Sequence, residues 1–513
     1  MAPDTKQHEA MSAGSIEPGV WRYARARRVR VVVDGEEYFD AIQRAMLKAR
    51  QRILMIGWDF DTRIHLTRGR RWWQKGWKKH YPSRLGSFVV WLSKQNPQLE
   101  IRILKWSMGF IKFIGRGAMV LDLLRWWPHR RIDFKFDHVL PVGCTQHQKL
   151  VIIDSDFAVC GGIDLTNGRW DTRAHLEEDP GRKRPSGEHY APWHDMVMLM
   201  EGPVARELEE LGLMRWRRAG GKVLPSVTSQ EESAWPDDLD AEFEDVDVGI
   251  SRSWPAMEGE AKIDEVEELF LRQIAAAKHF IYAENQYFAS RSIGEAIAKR
   301  MIEDDPPEVV IVHPESAEGW LEARTMDPAR NELVQAIREI DEHNRFHLYA
   351  PFSGNTQIYV HAKLLIVDDR VLRIGSSNFN NRSMGLDSEC DVFIDCDRPG
   401  NEHATAGIRS IRESLLAEHL GLPVEDMPGL LEKHGSMAEL IAAIGDTNAR
   451  HLRPFQPGLN QEWESDLAIS ETLDPEEPEH LFEILPAHRG LFRPGSLLAK
   501  AKDRLTRKRS VNE

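Results

Sequence analysis

The sequence predicts an α/β protein made of two duplicated lobes, each a mixed β-sheet flanked by helices, related by a pseudo-two-fold axis with a shared site at their interface. Three observations carry this expectation. The chain twice spells His-x-Lys, an apolar run and then Asp: His147, Lys149 and Asp154, and again His361, Lys363 and Asp368. A glycine follows each copy at the same distance, Gly161 and Gly375. A helical pattern leading into a strand stands ahead of both copies.

The elements follow in order. In the first half, Tyr38 to Ala49 has helical spacing and runs into an apolar strand from Arg52 to Phe60, with a second strand over Leu99 to Leu104. In the second half, Glu265 to Ala277 plays the helix, Lys278 to Phe288 the strand, and Glu308 to His313 the next strand. Each His-x-Lys then opens a buried strand, a tight turn at Asp-Ser-Asp or Asp-Asp-Arg, and a returning strand. Side chains two apart on a strand share a face, so His147 and Lys149 point one way, as do His361 and Lys363. Asp154 and Asp368 have the opposite parity and fall at the turn, where they orient backbone or lysine. A helix from Ala404 to Leu420 closes the second lobe.

The resulting division is an N-terminal tail over 1–29, a first lobe over 30–228, an acidic linker over 229–250, a second lobe over 251–425 and a C-terminal extension over 426–513. The repeat spans more than two hundred residues, too long for a solenoid, and reads as a duplicated domain. The 513 residues are 42% hydrophobic, enough for more than one packed core. A net charge of -14 argues against nucleic acid held over the whole surface. Cys144, Cys160, Cys390 and Cys396 show no metal spacing and read as reduced thiols. No charged head precedes an apolar stretch at the N-terminus, and the most apolar long window, Gly109 to Trp127, is broken by Lys112, Arg116, Asp122 and Arg125. The expectation is a soluble or peripheral protein, cytoplasmic or on a membrane surface.

Paired His and Lys suit phosphate-ester chemistry without a metal or other cofactor. One imidazole attacks phosphorus, the other protonates the leaving oxygen and later deprotonates the incoming water or alcohol. Lys149 and Lys363 neutralise the equatorial oxygens. Gly161, Gly162 and Gly375 let phosphate approach the backbone. His194, His313 and His419 read as core histidines. Two clusters remain for a substrate surface: Arg68, Arg70, Arg71, Trp72, Trp73, Lys75, Trp77, Lys78 and Lys79, and Arg125, Trp126, Trp127, Arg130 and Arg131. Both suit the headgroup layer of a bilayer, single-stranded nucleic acid, or a lobe core with arginines outside.

These motifs resemble the phospholipase D superfamily over roughly residues 30 to 425. The run Gly161-Gly162-Ile163-Asp164 through Gly168-Arg169-Trp170-Asp171, the segment Glu284-Asn285-Gln286-Tyr287-Phe288 and Glu418-His419-Leu420-Gly421 are similar to the true phospholipase D enzymes. The second copy carries Gly375, Ser376 and Asn378 and then Glu389 in the family's usual arrangement, whereas the first has Gly-Gly-x-Asp. The resemblance implies a glycerophospholipid substrate at a membrane surface, a monomer, and no nucleic-acid partner. It implies His147 as nucleophile and His361 as general acid and base. Glu389 is expected to hold His361, and Asp195 to hold His147. A cardiolipin-synthase-like transferase and a nuclease or phosphodiesterase of the same superfamily are the competing readings.

Overall fold

The structure is a computed structural model and describes residues 17–71, 74, 80–106, 117–228, 232–318, 320–457, 474–475 and 490–512. The first half contributes β1 (Arg22–Val33), β2 (Arg52–Gly57), β3 (Glu100–Trp106), β4 (Ile132–Asp137), β5 (Leu150–Ile153), β6 (Phe157–Gly161), β7 (Trp193–His194) and β8 (Met196–Glu201). The second contributes β9 (Phe243–Trp254), β10 (Ile263–Asp264), β11 (Phe280–Asn285), β12 (Glu308–Val312), β13 (Phe346–Ser353), β14 (Thr356–Gln357), β15 (Tyr359–Val360), β16 (Lys363–Val367), β17 (Val371–Gly375) and β18 (Glu389–Asp395), with β19 (Arg450–Pro454) following.

Hydrogen bonding orders the first half β4-β3-β2-β5-β6-β8-β1. The second half runs β13-β12-β11-β16-β17-β18-β9. In both, the first two rungs are parallel and the rest antiparallel, so the halves repeat strand for strand. The equivalent strands β1 and β9 then pair antiparallel, Arg22 with Ile250 through Val29 with Phe243, which makes one large sheet and is the pairing a two-fold relation requires.

The sequence explains why these strands sit inside. Each residue of β5, β6, β8, β16 and β17 is buried, as near-continuous apolar runs demand when both faces are covered. One core is shared: Leu54, Ile152 and Met198 from the first half pack with Tyr282, Leu364 and Ile374 from the second. Each fully buried Leu or Ile contributes about 1.5–3 kcal/mol. The outer faces carry separate cores beneath the helices Asp34–Lys48 and Glu265–Ala276. Both helices begin with three acidic residues, Asp34, Glu36 and Glu37 in one and Glu265, Glu267 and Glu268 in the other, complementing the positive helix start.

Some sequence boundaries move. β1 begins at Arg22, inside the stretch read as a tail, and β9 begins at Phe243, inside the stretch read as a linker, because the sheet recruits both segments to join the halves. Acidic residues of that stretch are tied down as well: Asp237 meets Lys48 at 2.5 Å, Glu232 meets Arg50 at 2.6 Å, and Asp238 pairs with Arg44. In the C-terminal extension, β19 pairs with β13, and the helix Leu497–Asn512 buries Leu498 and Ala501 in the second lobe's core. All four cysteines are buried free thiols. No helix among the described residues is long and apolar enough to cross a membrane.

Candidate active site

His147 and Lys149 stand just before β5, which starts at Leu150, whereas Lys363 is the first residue of β16 and His361 precedes it. The ladder with β2 ends at Ile56 opposite Leu150, while β11 extends one rung further, Asn285 opposite Lys363. The two histidines are fixed by matching contacts with the opposite half. Gln146 bridges Ser388 and Val360 bridges His194, both parallel. The His147 N–H donates to the Ser388 carbonyl at 3.0 Å and the His361 N–H to the His194 carbonyl at 2.7 Å.

This bridging decides which carboxylate holds which imidazole, and it corrects the sequence assignment. His147 Nδ1 lies 3.0 Å from Glu389 Oε2, and His361 Nδ1 lies 2.7 Å from Asp195 Oδ2. Each histidine is therefore held by the other half. The bridge sets the residue before a histidine beside the residue before the partner half's carboxylate, so the two following side chains meet. Glu389 also accepts from Ser383 Oγ at 2.7 Å and from Ser376 Oγ. With Nδ1 so engaged, Nε2 of each ring is left for chemistry.

Burial dominates the electrostatics. It pushes Glu389 up to about 8 and Asp195 up to about 7. Burial, with Lys149 and Lys363 adding to it, holds His147 well below the ordinary imidazole value. His361 is held down likewise by burial, then Lys363, Arg169, Lys149 and His147. Each His–carboxylate pair thus holds one ionisable proton, whichever partner carries it. Burial also lowers Lys363 to about 7, against the opposing pull of Asp195. Lys363 Nζ donates to Gln286 Oε1 at 3.2 Å and to the His361 carbonyl; Lys149 Nζ donates to the His147 carbonyl at 3.0 Å and lies 3.3 Å from Asp164 Oδ2. The arrangement suits a phosphodiester, a monoanion whose charge grows toward two as a fifth bond forms at phosphorus, where both lysines would meet it.

The remaining sequence candidates fall into place as follows. Asp154 accepts from the backbone N–H groups of Arg50, Gln51 and Arg52 at 2.6, 2.7 and 2.7 Å, and Asp368 from those of Lys278, His279 and Phe280 at 2.7, 2.8 and 2.8 Å. Both latch the start of β2 or β11, away from the imidazoles. Asn378 Oδ1 is buried without a hydrogen-bond partner. A Cβ on Gly161 would meet the Val197 backbone at 2.5 Å, and one on Gly375 would meet Asp391 Oδ1 at 1.9 Å, so close packing of neighbouring strands demands both glycines. Of the first Arg and Trp cluster, Trp72, Trp73, Lys75, Trp77, Lys78 and Lys79 lie outside the described residues.

Several residues were not legible. Trp193 stacks on Tyr359 with ring centroids 4.8 Å apart, lies 5.1 Å from the His361 ring, and carries Arg169 3.9 Å from its own centroid. Behind Asp195, donor atoms of Asp34, His175, His194 and Glu418 lie within 4.8 Å of one another, all buried. His175 Nδ1 is 2.9 Å from Asp171 and His194 Nε2 is 2.6 Å from Glu284, so each ring has its far nitrogen on a carboxylate and its near nitrogen toward the shared centre. Around that centre His175 Nε2 lies 2.9 Å from Glu418 Oε1 and 3.2 Å from Asp34 Oδ2, and His194 Nδ1 lies 3.0 Å from Glu418 Oε1, with Asp34 Oδ2 and His194 Nδ1 too poorly aligned for a hydrogen bond. These four residues could hold a divalent cation, with Asp171 and Glu284 orienting the ligands. The alternative balance is protonated imidazole: burial opposes it, but Asp34, Asp171 and Glu418 hold His175 up at about 9. His194 and His419, read as core histidines, both meet Glu284, at 2.6 and 3.0 Å. The signal that could have found them is the run Pro192-Trp193-His194-Asp195 together with Asp171 and Glu418 inside the family-like segments.

A repeated α/β sheet that brings two His-x-Lys segments together, each histidine on the other half's carboxylate, defines a two-lobed class of protein with one composite site. The chain belongs to the phospholipase D superfamily. The family described as "Phospholipase D" matches residues 134–305, and that described as "Cardiolipin synthase, PLD-like domain" matches residues 270–408. Phospholipase D alpha 1 of Ricinus communis is 24% identical over 87% of this chain and 69% of its own length. Phospholipase D alpha 1 of Zea mays is 25% identical over 76% of this chain and 64% of its own, and Phospholipase D1 of Saccharomyces cerevisiae 26% identical over 81% and 30%. The chain thus spans about two thirds of the plant relatives and under a third of the yeast one. Among solved structures, a phosphatidylserine synthase of Haemophilus influenzae Rd KW20 aligns with a TM-score of 0.47 and 12% identity, covering 86% of this chain and 99% of its own.

Proposed function

We propose that the protein is a phospholipase D that cleaves the distal phosphodiester bond of glycerophospholipids, releasing phosphatidic acid and the headgroup alcohol. The observation that carries this reading is the crossed pair of dyads, His147 with Glu389 and His361 with Asp195, flanked by two lysines. The relatives named phospholipase D support the lipid substrate.

In the first step His147 Nε2 forms a bond to phosphorus while the bond from phosphorus to the headgroup oxygen breaks, and His361 gives its Nε2 proton to that oxygen. Lys149 and Lys363 balance the charge growing on the equatorial oxygens. In the second step His361 takes a proton from water, whose oxygen attacks phosphorus and releases His147. An alcohol in place of water gives transphosphatidylation. Glu389 and Asp195 stabilise the imidazolium that forms in each half. The protein acts as a monomer at a membrane surface.

The test incubates wild type and His147→Ala with mixed phospholipid vesicles and a little ethanol, followed by mass spectrometry of the lipids. Phosphatidic acid and phosphatidylethanol are expected from the wild type alone. Intact lipids, with cleavage of a nucleic-acid diester instead, would sink the lipid reading. Joining of two phosphatidyl groups into cardiolipin would move it to the transferase that one of the matching family descriptions names.

A further inference from the structure

The helix Gly117–Trp126 is apolar on both sides. Its inner side is anchored: Met119, Asp122 and Trp126 are buried, Asp122 accepts from Thr62 Oγ1 at 2.7 Å and Arg84 at 2.6 Å, and Trp126 Nε1 donates to the Gly86 carbonyl at 3.1 Å. Its outer side leaves Val120, Leu121 and Leu124 in water, the last two 62% and 60% exposed, and Trp127 follows at 86%. Spacings of three and four put Val120, Leu124 and Trp127 on one stripe, with Leu121 and the exposed Arg125 beside it. Scattered apolar residues are ordinary on a surface, but three on one helix with an exposed tryptophan directly after it are not.

A second feature adjoins this one. A cleft of about 660 Å³ is lined by Arg63, His65, Arg71, Arg84, Lys183 and Arg184 among others. Arg63 is neutralised by Asp61, Arg84 by Asp122, and Arg184 faces Glu188 at 3.5 Å. Arg71 and Lys183 have no carboxylate partner among the described residues, although Arg71 is half-buried. Arg84 is a wall of the cleft and also the clamp on the helix. The location fits the chemistry. β2 and β3 run parallel and end at Gly57 and Trp106, at the end of the sheet where His147 precedes β5, and the next described element after β3 is this helix. Val142, in the segment leading to His147, is 93% exposed.

We propose that the outer side of Gly117–Trp126 with Trp127 is a docking surface for an anionic phospholipid bilayer, the helix lying in the headgroup layer while the adjoining cleft takes a lipid phosphate on Arg71 and Lys183. Charge complementarity selects this occupant. Apolar side chains edged by Arg125 and followed by a cleft with unneutralised cations match acyl chains beneath a layer of phosphate. Another protein chain would have to supply both at once. The inference rests on the reading of a lipid substrate only for its purpose, which is to bring the composite site to the membrane plane.

The full chain is centrifuged with sucrose-loaded vesicles of phosphatidylcholine alone or with phosphatidylglycerol, and the same proteins are assayed on a short-chain phospholipid below its micelle concentration. Wild type is expected to sediment with the anionic vesicles. Leu121→Glu with Leu124→Glu should weaken that binding by about tenfold or more, and Arg71→Gln with Lys183→Gln by about fivefold per charge. Turnover of the monomeric lipid should be unchanged in the chain with both leucines replaced. Because all four positions are outside the core, circular dichroism and melting are expected to match wild type. Failure of wild type to bind anionic vesicles, or binding by the variants equal to wild type, would overturn the proposal. Binding without turnover of either lipid would leave the surface standing and remove the phospholipase reading instead.

Discussion

A Cβ on Gly162 would stand 2.0 Å from Asp195 Oδ1, closer than any real contact, so the absence of a side chain at residue 162 is what seats the carboxylate that holds His361. The equivalent residue of the other half is Ser376, whose hydroxyl donates to Glu389. The longer acid thus meets a serine and the shorter one a glycine. Gly162→Ser, which makes the halves alike in sequence, is expected to displace Asp195 and lower kcat by about tenfold or more while the melting temperature shifts by only a few degrees. Steady-state kinetics beside a thermal melt check this; an unimpaired kcat would contradict it.

Crossed dyads predict crossed phenotypes. Glu389→Gln should slow formation of a phosphohistidine at His147, and Asp195→Asn should slow the proton transfers of His361, each by roughly 10²–10⁴-fold. Rapid quench with a radiolabelled lipid followed by peptide mapping separates the two. Label on His361 rather than His147 would reverse the assigned roles.

Stability should carry the mark of Glu389. Its folded value of about 8 lies above the ordinary carboxylate, so between these values the folded chain holds a proton that the unfolded chain has lost. Stability from this group is therefore present at low pH and is lost as pH rises toward 8, by up to about 1.4 kcal/mol per unit. Below about 6.5 the depressed His147 cancels it, because there the unfolded imidazole takes up a proton that the folded one refuses. The visible window is about pH 6.5 to 8. Urea melts across it should show a decline in wild type that Glu389→Gln flattens; parallel profiles would refute the assignment.

The aspartates that end each motif should behave as structural residues. Asp154→Ala and Asp368→Ala each strand three backbone donors at the start of a central strand, a loss of about 2–4 kcal/mol. Chemical denaturation measures this. The folded fraction, counted by titration of the site, should keep near wild-type kcat, whereas a Lys149→Ala chain should not.

The donor set of Asp34, His175, His194 and Glu418 fits a divalent cation, and elemental analysis of protein purified without chelator is expected to find about one equivalent. Dialysis against a chelator should then lower the melting temperature, and His175→Ala should abolish both the metal and the shift. Protein free of metal whose melting is indifferent to chelator would mean that protonated imidazoles balance the carboxylates.

What could be read in the sequence followed from what repeats or alternates. The strand that follows each His-x-Lys, its return strand and the helix-then-strand ahead of it came from apolar periodicity, and Asp154 and Asp368 could be placed at turns by parity alone. The pairing of acids with histidines could not, because it depends on a parallel bridge between Val360 and His194 that links residues 166 apart, and no local pattern encodes it. β9 was hidden for a related reason: its first residues, Phe243-Glu244-Asp245-Val246-Asp247, are acidic enough to pass for solvent-loving linker, yet Arg25 and Arg398 meet Asp247 and let the strand pair. The buried cluster around His194 drew on four separate segments, and the one cluster residue that each supplies gave nothing to count.

The seam between β1 and β9 has a mechanical consequence. Since β1 and β9 are stitched along most of their length, the halves cannot swing apart as jaws do without breaking that ladder. Admission of a bulky substrate and departure of its products must be the work of the segments that rise above the strand ends. Rate differences between variants of those segments would report on traffic rather than on bond-making.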